Sequence, residues 1–254
     1  MKSIFNFSNT RYNRQLEMPE WGMKRQQLLE KAKVAVIGAG GVKSSLLYAL
    51  TSAGIGHLRV IDFDKVELSN LNRQFLYTTD DIGKFKAEVS VSKLQKLNPD
   101  ISIDPLVEKV TENNISALLC NYDFIVEGGD SPAGRNLINE YCLSVAKPFV
   151  HASAQFNYGY VFTVVPKLKT ACYACFYPND IQRKESTGAV PVNVLSVQIA
   201  GTLGATEVLK YFIGYEDNLI INRKLTFSSL FLSENFSTIK QSRRHHCPIC
   251  SRYY

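Results

Sequence analysis

The sequence KVAVIGAGGVKSSLLYAL, residues 33–50, has the pattern of a strand that runs through a glycine turn into a helix. Residues 34–37 form an apolar run typical of a buried strand, and residues 42–53 have the apolar spacing of a helix. Gly38, Gly40 and Gly41 lie between the two, where a backbone without side chains lets phosphate groups approach the first turn of the helix. The stretch therefore predicts a nucleotide-binding site, and at this point both hydride transfer and phosphate transfer are open.

Strand and helix patterns alternate along the first part of the chain. Predicted strands lie at residues 34–37, 57–61, 101–107, 124–126 and 149–151, and predicted helices lie at 21–31, 42–53, 84–97, 114–120 and 135–145. This alternation predicts an α/β, Rossmann-like fold with a doubly wound, mostly parallel sheet.

The second part of the chain has a different pattern. Residues 156–165 and 219–232 are rich in β-forming residues, with an apolar helix at 194–213 between them. We expect these segments to extend the sheet by antiparallel strands. Because no repeat or linker divides the sequence, we predict one domain over residues 1–254, with a nucleotide-binding half at about 30–152 and a second half at about 153–254.

Composition limits the location and the partners of the protein. Of its 254 residues, 45% are hydrophobic, and the formal net charge is +6. The first part of the sequence lacks the apolar run of a signal peptide and no long apolar run follows, so we expect a cytoplasmic protein without a membrane partner. A basic segment near residue 245 could contact RNA or an acidic protein, but we interpret it as a solvated segment beside a metal site and predict no nucleic-acid partner. Its basic residues are Lys240, Arg243, Arg244 and Arg252.

Four of the six cysteines form two Cys-x-x-Cys pairs, Cys172 with Cys175 and Cys247 with Cys250. In a chain without an export signal this spacing favours a metal site over disulfides. Two pairs supply the four thiolates of a closed, tetrahedral structural zinc site. A redox-active pair and an iron–sulfur cluster are the alternatives, and the two remaining cysteines, Cys120 and Cys142, are interpreted as packed thiols.

Charged residues after the second and fourth predicted strands separate the two kinds of nucleotide chemistry. Asp62 ends the second strand, where its carboxylate can accept hydrogen bonds from ribose hydroxyls in either case. Arg73, Lys84 and Lys86 follow it, and Asp130 follows the fourth strand. An attack on the α-phosphate of ATP needs cations that offset phosphate charge and a carboxylate that holds magnesium. Hydride transfer has little use for either. These residues therefore predict ATP and Mg²⁺.

In this order the motifs resemble those of the ThiF/MoeB/HesA family of the ubiquitin-activating enzyme superfamily, which adenylates the C-terminal glycine carboxylate of ubiquitin-like sulfur carriers. The resemblance covers nearly the whole chain. It rests on residues 11–15 (RYNRQ), 38–41, 62–64, 68–74, 86, 98–99, 130, 172–175 and 247–250.

The resemblance implies a role for each matching residue. Asp62 holds the ATP ribose, Asp130 holds magnesium, and Arg14 reaches the γ-phosphate bound by the neighbouring subunit of a homodimer. The four paired cysteines are the structural zinc site, and residues 177–191 cross over the acceptor's tail. The implied nucleotide-binding set is Gly38, Gly40, Gly41, Asp62, Asn70, Arg73, Gln74 and Lys86, of which Asn70, Arg73 and Lys86 contact phosphates.

The sequence departs from the family pattern at two places. Lys43 stands where a third glycine is usual, and its side chain either points into solvent, which we favour, or lies along the phosphates. Residues 183–188 (RKESTG) contain no cysteine, although ThiF-type members carry one in this loop. We therefore expect no covalent cysteine intermediate.

The predicted function is that of an ATP-dependent adenylyltransferase. It activates the C-terminal carboxylate of a sulfur carrier ending in Gly-Gly as an acyl-AMP and releases pyrophosphate, as in thiamine or molybdopterin biosynthesis. Three alternatives are kept: adenylation of a ribosomal peptide or small acid in natural-product biosynthesis, an NAD-dependent oxidoreductase, and a catalytically degenerate binding scaffold.

Overall fold

A computed structural model describes residues 10–129, 131–181, 190–231 and 236–254. Its strands are β1 (Lys33–Ile37), β2 (His57–Ile61), β3 (Ser102–Leu106), β4 (Phe124–Glu127), β5 (Phe149–Gln155), β6 (Tyr158–Val164), β7 (Arg223–Ser228) and β8 (Phe236–Lys240). Its α-helices are α1 (Asn13–Leu16), α2 (Gly22–Lys31), α3 (Gly41–Ala53), α4 (Lys86–Leu97), α5 (Ile115–Leu119), α6 (Pro132–Ser144), α7 (Tyr173–Phe176) and α8 (Val194–Phe212).

The strands form one sheet in the order β3-β2-β1-β4-β5-β6-β7-β8. β1 to β5 pair in parallel, and β6, β7 and β8 are added as antiparallel strands. The predicted fold class, a parallel sheet with an antiparallel extension, is confirmed. The strand order reverses direction between β1 and β4, which is where open α/β sheets of this kind bind ligands.

The parallel strands are apolar because helices cover both faces of the sheet. Val34, Val36 and Phe124 are fully buried in this layer. Only β3 contains a proline, Pro105, and β3 is an edge strand, where a residue without an N–H leaves no neighbour unpaired.

Two strands differ from the sequence prediction. β5 runs on to Gln155 because it pairs with β6 over its whole length, from Phe149 opposite Val164 to Gln155 opposite Tyr158. β8 was not predicted, because all of its residues are exposed and it carries no alternation of apolar and polar residues. In both cases the strand is defined by its pairing with a distant segment, which no local pattern reveals.

Helix α8 packs closely against α3 and positions the glycine turn before it. A Cβ at Gly201 would lie 2.0 Å from the carbonyl oxygen of Val42, so the backbones of the two helices approach this closely only because glycine is present. In the described part of the chain, no helix combines the length and the apolar character that crossing a membrane demands. The cytoplasmic location stays a prediction.

Candidate functional site

Two glycine segments meet at the carboxyl ends of β1 and β4. Gly38 has φ of +86°, a left-handed conformation that favours glycine, and its N–H donates to the carbonyl of Ile61 at 2.7 Å. A Cβ on Gly128 would lie 1.7 Å from the carbonyl oxygen of Ile37, so only glycine allows β4 to end this close to β1. The result is an open crevice between the two turns at the point where the strand order reverses.

This crevice has a volume of about 430 Å³ and collects residues from six separate parts of the chain. It brings together five predicted nucleotide-binding residues, namely Gly38, Gly40, Asp62, Gln74 and Lys86. It also contains residues that the sequence analysis did not select, among them Asp64, Lys109 and Ser131.

Asp62, which follows β2, forms a hydrogen bond with the glycine turn. Its Oδ2 accepts the N–H of Ala39 at 2.7 Å, and its Oδ1 accepts the N–H of Asp64 at 2.8 Å. Burial raises the pKa of Asp62, and these two hydrogen bonds oppose the rise. A carboxylate has about four lone-pair positions, so capacity for ribose hydroxyls is left after both bonds are made.

Lys86 and Gln74 present polar atoms to the crevice. Lys86 is buried at the start of α4, and its Nζ lies 3.1 Å from Asp64 Oδ2. The Oε1 atom of Gln74 is buried without a hydrogen-bond partner in the described structure. Because a buried polar atom without a partner is costly, the crevice is suited to a polar ligand that would satisfy it.

Besides Gly41, three predicted nucleotide-site residues do not line this crevice. Asn70 caps a short 3-10 helix, and its Oδ1 accepts the N–H of Glu67. The Nη1 of Arg73 donates to Ser69 O at 2.8 Å and to Asn72 Oδ1 at 3.0 Å. The side chain of Arg14 is 94% exposed.

Two parts of the prediction fall on residues that are not described. Asp130, the predicted magnesium ligand, lies outside the described residues, as do residues 182–189 of the predicted crossover segment. Both assignments stay predictions.

A second cavity of about 190 Å³ adjoins the crevice on the β5 side, and Gly41 lines it. Lys43 also lines this cavity and is only 5% exposed. The favoured interpretation of Lys43 as a solvent-directed side chain is therefore wrong. The reason is that Lys43, the third residue of α3, faces the ends of β4 and β5. Its side chain therefore packs against these strand ends and does not point into solvent.

Glu127 and His151 form a buried pair at the floor of this second cavity. Glu127 Oε2 lies 2.5 Å from His151 Nδ1, and its Oε1 accepts the N–H of Gly129 at 2.5 Å. Burial works to raise the pKa of Glu127, but the hydrogen bond to His151 lowers it overall, and burial lowers the pKa of His151. The pair is thus an ionised carboxylate that accepts a hydrogen bond from the Nδ1–H of a neutral imidazole. No local sequence pattern predicts this pair, because its members lie on two different strands, β4 and β5.

Arg135 of α6 connects the second cavity to the region of the cysteines. Its Nε donates to Gly129 O at 2.8 Å, and its Nη1 lies 3.5 Å from the hydroxyl of Tyr173. Tyr173 in turn donates to Asp180 Oδ2 at 2.6 Å. Because Tyr173 directly follows Cys172, the cysteine segment contributes to the placement of this arginine.

The two predicted cysteine pairs form one buried cluster. The Sγ atoms lie 3.9 Å apart in Cys172 and Cys175, 3.7 Å in Cys172 and Cys247, and 3.6 Å in Cys175 and Cys250. A tetrahedral zinc ion with Zn–S bonds of ~2.3 Å requires sulfur separations of about 3.8 Å, so the four thiols fit a single tetrahedral ion. The basic segment beside the cluster is partly docked, since Arg252 pairs with Glu140 of α6 at 2.8 Å.

Comparison with known proteins gives the family. The model of the ThiF family matches residues 12–249. The chain belongs to the ThiF family. The predicted enzyme class, an adenylyltransferase of this family, is confirmed by the family match together with relatives at more than 30% identity.

Two relatives and two solved structures show the extent of the similarity. The sulfur carrier protein adenylyltransferase of Thermus thermophilus is 34% identical over 94% of this chain and 90% of its own. The sulfur carrier protein ThiS adenylyltransferase of Escherichia coli is 31% identical over 94% of both chains. The crystal structure of E. coli MccB with AMPCPP and MccA is 28% identical, covers 96% of this chain and 75% of that chain, and has a TM-score of 0.82. A structure of MccB with ATP covers the same shares, at 26% identity and the same TM-score of 0.82.

Proposed function

We propose that this protein adenylates the C-terminal carboxylate of a ubiquitin-like sulfur-carrier protein ending in Gly-Gly. The observation that carries the proposal is the crevice between the two glycine turns, which gathers Asp62, Gln74 and Lys86 around one space. Relatives named as sulfur carrier adenylyltransferases match nearly the full chain, which supports the same acceptor class here.

In this proposal the chain's own residues bind and orient ATP. Asp62 accepts hydrogen bonds from the ribose, Lys86 offsets phosphate charge, and Gln74 uses its unpaired Oε1 on a polar group of the nucleotide. Asp130 is proposed to hold Mg²⁺, which supplies further charge neutralisation at the phosphates. Lys86 is already held by Asp64, so its ammonium is oriented before ATP arrives.

The other predicted contacts require movement or a second subunit. Arg73 would have to leave Ser69 and Asn72 to reach a phosphate, and Asn70 would act through the same segment. The exposed Arg14 is proposed to act on the site of a neighbouring subunit in a homodimer. These three roles are proposed on the basis of the family resemblance.

The proposed reaction uses no protein nucleophile. An oxygen of the acceptor carboxylate attacks the α-phosphorus, the bond to the oxygen bridging the α- and β-phosphates breaks, and acyl-AMP and pyrophosphate form. Catalysis consists of positioning and charge stabilisation. Among the described residues no cysteine lines the crevice, and burial strongly raises the pKa of Cys142, which makes that thiol a poor nucleophile.

We propose that the cluster of Cys172, Cys175, Cys247 and Cys250 holds a structural Zn²⁺. All four sulfurs are used in a tetrahedral shell, which leaves no position for substrate. The ion would therefore stabilise the fold of the second half.

A peptide acceptor is the second candidate. It is favoured by the similarity to MccB, whose crystal structure contains MccA. The adenylation step would be the same, and only the acceptor that enters the second half would differ.

Exchange of labelled pyrophosphate into ATP tests the proposal. The purified protein with Mg²⁺ is assayed alone, with sulfur carriers ending in Gly-Gly from the source organism, and with the same carriers lacking the last glycine. Exchange that requires the intact terminus supports the sulfur-carrier proposal. Exchange with ribosomal peptides alone would favour the second candidate, and ATP binding without any exchange would contradict adenylation.

A further inference from the structure

The second cavity lies directly beside the proposed ATP site. Gly38, Gly40, Gly128 and Gly129 line both spaces, so a group in the second cavity is separated from the crevice only by these turns. The cavity also reaches residues 151–154 of β5, the strand that begins the antiparallel extension. It therefore lies between the crevice and the half of the molecule that is proposed to receive the acceptor.

Lys43 places an ammonium group in this cavity. Its Cε would lie 3.0 Å from a Cβ on Gly128, and its Nζ lies 3.5 Å from the carbonyl oxygen of Ala152. That long contact is the only hydrogen bond found for Nζ among the described residues. Because an ammonium has three donors, most of its hydrogen-bonding capacity is unused although the residue is 95% buried.

Among the described residues, the charges around Lys43 leave an excess of positive charge. Lys43 and Arg135 both line the cavity, and Glu127 is the carboxylate that faces them. Glu127 accepts hydrogen bonds from Gly129 and His151, and among the described residues no ion pair joins it to Lys43. A buried cation without a partner is costly, and an anionic ligand in the cavity would remove that cost.

We propose that Lys43 binds the terminal carboxylate of the acceptor in the second cavity and holds it beside the α-phosphate of ATP. This inference rests on the proposed adenylation and adds the residue that recognises the acceptor's carboxylate. Lys43 neutralises the carboxylate as it enters an interior rich in phosphate charge. It transfers no proton, because the attacking group is already an anion and the leaving group is pyrophosphate.

An ATP phosphate in the second cavity is the competing explanation. In that case Lys43 would contribute to ATP affinity in the absence of any acceptor. With the acceptor's carboxylate as the ligand, Lys43 matters only once an acceptor is present. The two explanations therefore separate in measurements of binding.

The first measurement is binding to Lys43→Met, which keeps an unbranched side chain but removes the charge. Lys31→Met, an exposed lysine at the end of α2, is the control for the loss of one charge. Calorimetry measures the Kd of Mg·ATP, and the dipeptide glycylglycine and its uncharged amide are then titrated into protein saturated with AMPCPP. Circular dichroism verifies that each variant is folded.

We expect the parent protein to bind glycylglycine about tenfold or more tightly than the amide, in line with a hydrogen bond between charged groups. The preference should disappear in Lys43→Met and persist in Lys31→Met, and the Kd of Mg·ATP should change less than about twofold. A preserved preference in Lys43→Met, no preference in the parent protein, or a tenfold loss of ATP affinity would each overturn the proposal.

A rescue experiment covers the case in which Lys43→Met does not fold. Lys43→Ala leaves room for methylammonium, which should restore binding of glycylglycine if a cation at this place is what matters. Absence of rescue in folded Lys43→Ala protein would count against the proposal. Pyrophosphate exchange by the parent protein tests adenylation itself, so exchange that proceeds normally while these binding tests fail would leave the proposed function standing and remove only the role of Lys43.

Discussion

The nucleotide crevice and the cysteine cluster differ in how completely their polar groups are already satisfied. In the crevice, Gln74 Oε1 has no hydrogen-bond partner among the described residues, and Asp62 keeps spare lone pairs. In the cluster, all four Sγ atoms are buried within 4.8 Å of one another. The first arrangement suits a ligand that enters and leaves, and the second suits an ion that is bound once and retained.

The two sites are physically connected. Tyr173 belongs to the first cysteine pair, and its hydroxyl lies next to Arg135, which binds the carbonyl of Gly129 at the edge of the crevice. The comparison therefore predicts that damage to the cluster affects the whole second half and the second cavity, whereas damage to the crevice changes ligand binding with little effect on the fold.

The largest effect is expected from loss of the metal. Cys172→Ser combined with Cys250→Ser should abolish metal binding and cooperative unfolding of the second half, because structural zinc contributes about 10 kcal/mol or more in small zinc domains. Emission spectroscopy measures the metal content, and thermal melts measure the cooperativity of unfolding. Cys120 is exposed, so its interpretation as a packed thiol is wrong, and Cys120→Ser serves as the control that should leave both unchanged. A double variant with the parent's thermal transition would show that the cluster does not stabilise the fold.

Removal of the Lys86 charge should affect activity more than stability. Lys86→Met is expected to lower the rate of pyrophosphate exchange about 100-fold to 1000-fold, the range found when a group that stabilises transition-state charge is removed. Lys96→Met, on the exposed end of the same helix, is the matched control. Comparable exchange rates in the two variants would contradict a catalytic role for Lys86.

We expect Lys43 to lower the free energy of unfolding even though it is proposed to bind the acceptor. Burial lowers the pKa of Lys43 from 10.5 to about 8, so between pH 8 and 10.5 the unfolded chain binds more protons and the parent's stability rises with pH. Among the described residues, the charged groups that face it are Glu127 of β4 and Arg135 of α6, and the titratable but neutral imidazole of His151 of β5 lies beside them. Lys43→Met should exceed the parent in unfolding free energy by up to about 3 kcal/mol at pH 7, and by less as the pH approaches 10.5.

Urea titrations of both proteins from pH 7 to 10 measure this difference. A gap that does not shrink with rising pH would contradict an ionised, buried Lys43.

The smallest effect is expected at Gln74. Gln74→Met removes an unpaired buried acceptor, so stability should stay level or rise slightly while the affinity for ATP falls about threefold to tenfold. Calorimetry with Mg·ATP measures the affinity, and Gln27→Met on the exposed face of α2 serves as the control. A stability loss without a change in ATP affinity would make Gln74 a packing residue.

Much of the parallel half and of the crevice could be predicted from sequence. The helix predicted at 42–53 is observed as Gly41–Ala53, and the strand predicted at 57–61 is His57–Ile61. Gly38, Asp62 and Lys86 were selected from their order along the chain and lie in one crevice. These features depend on the spacing of residues along the chain. The fixed periods of helix and strand determine from that spacing where each residue lies on its element.

Other features were decided only by the tertiary structure. The direction of Lys43 depends on where the ends of β4 and β5 lie relative to α3, and the Glu127–His151 pair depends on two strands being neighbours. Arg73 has the right place in the motif, yet its side chain binds Ser69 and Asn72. Short-range patterns fix which elements form, because a few residues determine each turn or strand, whereas contacts between side chains require the packing of the complete sheet.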